Sequence, residues 1–102
     1  MNALQAVKQM EKELRNAGFE ITVNETEREY RVEAVVTGAW YESTTMFFAS
    51  AWKSPSNRWV KFLSVVRIDA LNNGVTRKNK LSYQKMWSEI NFVTRFYAKV
   101  GA

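Results

Sequence analysis

The sequence predicts a single α+β domain, α-β-β-β-β-α, with a mainly antiparallel four-stranded sheet packed by an N-terminal and a long C-terminal helix. Three observations predict it. Apolar residues recur at helical spacing up to Ala17, the period changes to two between Phe19 and about Ile68, and helical spacing returns after Ser82. A chain of 102 residues with 46% hydrophobic content is the size of one domain that closes its own core.

In the first helix, Ala3, Ala6, Val7, Met10, Leu14 and Ala17 form one stripe, with Lys8, Lys12 and Arg15 on the other side. Asn2 is placed to cap its start with Gln5 three residues on, and Gly18 to supply the left-handed residue that ends it. Strands follow at about 19–24, 29–41, 44–52 and 59–68, separated by Glu25-Thr26-Glu27, by Glu42-Ser43 and by Lys53 to Arg58. Ser54-Pro55-Ser56-Asn57 suits a type I turn, because Pro55 presets φ at its second position.

Residues 69–80 are polar, and Asn73-Gly74 is a turn signal that can close a short extra hairpin between Asp69 and Lys78. The second helix runs from a Ser82 N-cap to about Lys99. Its apolar arc of Tyr83, Met86, Trp87, Ile90, Val93, Phe96, Tyr97 and Val100 covers about half the circumference, which predicts heavy burial. Phe92 stands apart among polar neighbours.

Pairing Tyr41 with Thr44 and Trp52 with Trp59 divides the strands between two sides. One side, free of charge, receives Tyr30, Val32, Ala34, Val36, Gly38 and Trp40, then Thr45, Phe47, Ala49 and Ala51, then Val60, Phe62, Ser64, Val66 and Ile68. The other has an apolar centre of Val35, Met46, Phe48, Leu63 and Val65, with Arg31, Glu33, Lys61 and Arg67 around it and Trp52, Trp59 and Tyr41 at its ends. A monomer rarely leaves such a centre wet.

Charge is divided along the chain. Residues 1–51 hold five Lys or Arg against eight acids, a net of −3, whereas residues 52–102 hold ten against two, a net of +8. The basic half suits a polyanion.

Little in the sequence suggests catalysis. The absence of His and Cys removes triads, thiolate chemistry and most transition-metal sites, and four scattered glycines make no phosphate-cradling loop. Glu25, Glu27 and Glu29 alternate around a turn, but one turn lacks the ligand count of a calcium loop. The expectation is a non-enzymatic protein with no cofactor, metal or small-molecule ligand. The least favoured pocket would lie among Trp40, Trp87 and Tyr97. No apolar run approaches a bilayer span, MNALQAVKQMEKELR carries no signal-type hydrophobic stretch, and Cys is absent, so a cytoplasmic protein without membrane contact is expected.

Two functional readings follow. In the first, Lys53, Arg58, Lys61, Arg67, Arg77, Lys78 and Lys80 meet phosphates while Trp52, Trp59 and Tyr41 stack on bases, making a nucleic-acid-binding module. In the second, Met46, Phe48, Leu63, Val65 and Phe92 dock a protein partner or a second copy of the chain. The element order resembles that of double-stranded-RNA-binding domains, which also place helices on one face of an antiparallel sheet. LSYQKMWSEI departs from the charge-rich final-helix start of that family, and a strand is additional, so no membership is implied.

Overall fold

The computed structural model describes residues 2–37, 43–69 and 73–101, with side chains through Arg95. The described elements are α1 (Ala3–Asn16), β1 (Glu20–Glu25), β2 (Glu29–Thr37), β3 (Ser43–Lys53), β4 (Trp59–Asp69), β5 (Gly74–Lys78) and α2 (Tyr83–Gly101). The five strands form an antiparallel meander in chain order. The architecture is therefore α+β as expected, but the sheet has five strands rather than four, because the Asn73-Gly74 signal opens a paired strand.

Local signals explain the boundaries. Asn2 Oδ1 accepts from the Gln5 amide at 2.8 Å while the Asn2 amide donates to Gln5 Oε1 at 2.9 Å, a reciprocal capping box. At the other end Gly18 takes φ +88°, letting its N–H reach the Arg15 carbonyl and the Phe19 N–H reach that of Leu14, each at 3.1 Å. Ser82 caps α2 by accepting from the Lys85 amide at 3.2 Å.

Both helices cover the same side of the sheet. Val7, Met10 and Leu14 of α1 and Met86, Ile90 and Val93 of α2 share one core cluster with Val32, Ala34, Phe47, Ala49, Leu63 and Val65. Phe19 and Phe47 stack with ring centroids 5.9 Å apart. Ala34 pairs with Phe47 and Ala49 with Leu63, so small residues face large ones across the covered side.

The β3–β4 register differs from expectation by one residue. Lys53 pairs with Trp59 and Trp52 with Val60. Asn57 is the cause. Its amide donates to the Ser54 carbonyl at 2.9 Å, and the residue itself takes φ +60°. The Ser54 amide then reaches the Arg58 carbonyl at 2.8 Å, leaving Pro55, Ser56 and Asn57 as a three-residue loop. A type I turn extended by one left-handed residue shifts pairing by one, and every β4 side chain changes sides. Lys61, Leu63, Val65 and Arg67 therefore lie on the covered side, with Trp59. Val60, Phe62, Ser64, Val66 and Ile68 lie on the opposite side.

The β2–β3 pairing differs by an even step: Thr44 faces Thr37 instead of Tyr41, which leaves the sides of these two strands as expected. Trp40 and Tyr41, and the side chain of Tyr97, fall outside the described residues.

Candidate interaction surface

The side of the sheet away from the helices is built by alternate residues of all five strands. Along β3 and β4 it presents the cross-strand pairs Thr44–Ile68, Met46–Val66, Phe48–Ser64, Ser50–Phe62 and Trp52–Val60. Val35 extends this strip onto β2 and Val75 onto β5. Trp52, Val60, Ile68 and Val75 are 37%, 39%, 40% and 55% exposed, so four of the five exposed large apolar side chains among the described residues stand here. Val35, Met46, Phe48 and Phe62 are half-buried. Both helices pack on the opposite side.

Charge is confined to the margins of this face. Glu20 stands on β1, Glu29, Arg31 and Glu33 on β2, and Arg77 on β5, while the β3 and β4 residues of this face carry none. Arg31 pairs with Glu29 at 2.7 Å. Glu20, Val35, Met46, Val66 and Arg77 form one row across the sheet, acidic at one end, basic at the other and apolar between. Glu20 and Arg77 are exposed, and neither forms an ion pair among the described residues.

The cations singled out in the sequence do not converge. Lys53 lies over the Trp59 ring at 5.5 Å, Lys61 over Tyr83 at 4.7 Å and Arg67 over Phe92 at 5.7 Å, all on the helix side. Lys78 on β5 binds Glu89 of α2. Arg58 is exposed in the β3–β4 turn, and Lys80 is exposed between β5 and α2 with φ +55°. Of the ten residues expected to meet nucleic acid, Trp52 and Arg77 share the uncovered face, Trp59 packs against the core, and Tyr41 lies outside the described residues.

The expected protein-docking set divides as well. Met46 and Phe48 are on the uncovered face, whereas Leu63 at 0% and Val65 at 5% exposure belong to the core and cannot touch a partner. Phe92 is 51% exposed on α2, on the helix side. The residues missed were Val60, Phe62, Ile68 and Val75. Their signal was Asn57, a residue type that tolerates left-handed backbone at the end of a turn.

An open cleft of about 400 Å³ lies between the β4–β5 edge and α2, bordered by Arg67, Lys78, Ser88, Glu89 and Phe92. Its charged groups are engaged with one another or with the Phe92 ring. No group of three or more carboxylates placed to hold a metal occurs among the described residues, including the alternating glutamates of the first turn. Among the same residues, no helix is long and apolar enough to cross a membrane. No protein-family model matches the chain, and comparisons with curated proteins and with solved structures also return no match.

Proposed function

We propose that this protein is a non-enzymatic interaction module whose uncovered sheet face docks on an apolar surface of a protein partner. The observation that carries the reading is the continuous apolar strip of Met46, Phe48, Trp52, Val60, Phe62 and Ile68, on a face with charge only at its margins. Aromatic anchors surrounded by aliphatic side chains, with polar groups at the rim, are the anatomy of a protein interface. Exposed strips of this extent are unusual in monomers because each Å² left wet forgoes about 25 cal/mol.

A nucleic-acid reading draws on Trp52 as a stacking surface, with Arg77 on the same face and Arg58 and Lys80 exposed elsewhere. It has less support. Three glutamates, Glu20, Glu29 and Glu33, also line that face, and phosphates would be repelled there. The two readings separate in one comparison of wild type with Phe62→Glu. The interaction module captures a protein partner, by cross-linking in cell extract, in a manner indifferent to salt and lost in the variant. Titration with labelled single- and double-stranded oligonucleotides meanwhile gives no binding. Oligonucleotide affinity falling with salt at a log–log slope of roughly −0.9 per phosphate contacted on duplex, together with no variant-sensitive protein partner, would reverse the assignment.

A further inference from the structure

Resting on the interaction reading above, we infer that the occupant of the uncovered face is a second copy of this chain, seated face to face about a two-fold axis that runs along β3. The first argument is charge complementarity. An axis parallel to the strands places β1 of one copy over β5 of the other at the same height, because such a rotation reverses strand order and preserves position along the strands. Glu20 and Arg77, at opposite ends of one row, then meet in both symmetry-related places. Each carries a charge with no ion-pair partner among the described residues of its own chain. An axis across the strands would instead stack the β1–β2 side, with Glu20, Glu29 and Glu33, on itself. The row through Met46 is thus self-complementary in one orientation, as an isologous interface requires, while Glu29, Arg31 and Glu33 of β2 lie over Val60, Phe62 and Ser64 of the second copy, Arg31 and Glu29 remaining paired with each other.

The second argument is shape and size. Along the axis Met46 and Phe48 meet their own copies, and the half-buried Val35 lies over Val66, whose 7% exposure leaves Met46, Phe48 and Phe62 as the side chains that make contact. Two sheets packed this way align within about 30° and stand about 10 Å apart, with both helix layers outermost. Five strands at about 4.8 Å spacing and about nine residues of strand length give a face of roughly 600–700 Å². That approaches the roughly 800 Å² per partner buried by a stable interface.

The test is sedimentation of the purified full chain over a concentration series, at low and high salt. The expected result is a reversible dimer that persists at high salt, and a monomer for Phe62→Glu with unchanged circular dichroism. Glu20→Arg and Arg77→Glu each raise the dimer dissociation constant by about tenfold, since each swap sets like charges together at two places. The double swap restores it. These two exposed positions keep the test decisive if Phe62→Glu does not fold. A wild type that stays monomeric throughout overturns the second copy as occupant, while variant-sensitive capture of a different protein would leave the interaction reading standing. A dimer indifferent to Phe62→Glu, or one whose single swaps are not rescued by the double swap, overturns the proposed geometry.

Discussion

Asn57 ends the loop that sets which side of the sheet each β4 side chain takes. Its φ of +60° is conformationally costly for a residue with a β-carbon, and Asn meets that cost better than most. Asn57→Gly is expected to hold or slightly raise stability, whereas Asn57→Ala lowers it by about 1 kcal/mol in urea unfolding. Thr45 gives a second test. Its Oγ1 is buried on the covered side with no hydrogen-bond partner among the described residues, so Thr45→Val should raise stability by about 1 kcal/mol in the same measurement. Tyr30, buried on β2, donates to Glu11 on α1. Burial first, and then that hydrogen bond, pushes the Tyr30 hydroxyl up to about 12. For Glu11, burial alone would raise the carboxyl pKa, but hydrogen bonds from Tyr30 and Arg15 outweigh it and the net shift is downward. The raised phenol stabilises the fold fully below the ordinary tyrosine value of 10.0, and this contribution is lost as pH rises toward about 12. The lowered carboxyl stabilises above its ordinary value of 4.5, and this is lost as pH falls through the lower folded value. Tyr30→Phe should flatten both limbs in a profile of urea midpoint against pH.

At the level of elements, the helices were legible and two strand registers were not, one of which changed the sides of a strand. The α1 stripe read from the sequence is the buried one, Ala3, Ala6, Val7, Met10 and Leu14, because a period of 3.6 leaves one face for the core whatever lies opposite. The capping residues Asn2 and Gly18 act within a few residues of chain and were equally readable. A strand's period of two says which residues share a side, but not which side faces the helices. For β4 that was decided by a loop of three residues rather than two. Neighbouring substitutions distinguish the registers. Leu63→Ala, in the core, should cost about 2–5 kcal/mol. Leu63→Glu should unfold the chain, because it buries an unpaired carboxylate. Phe62→Glu, one residue away on the uncovered face, should leave far-ultraviolet circular dichroism intact.

For the whole molecule, the arrangement leaves one side of a five-stranded sheet apolar and without a covering helix among the described residues. If a second copy covers it, the thermal midpoint should rise with protein concentration by mass action, whereas a monomer's midpoint does not move. The charge imbalance between the two halves of the sequence became a distributed pattern once folded, since Lys53, Lys61 and Arg67 were drawn over aromatic rings on the helix side. The sequence alone determined the α+β class, the two helices, the buried stripe of α1 and that of α2 as far as Val93, the caps, and the strand locations outside β5 among the described residues. All of these depend on hydrophobic period and on bonds between residues near in sequence. Tertiary structure alone decided which side of the sheet the helices cover and where the cations end. It also decided that Phe62, and not Leu63, faces outward, because strand pairing joins distant segments and a shift of one residue inverts a whole strand.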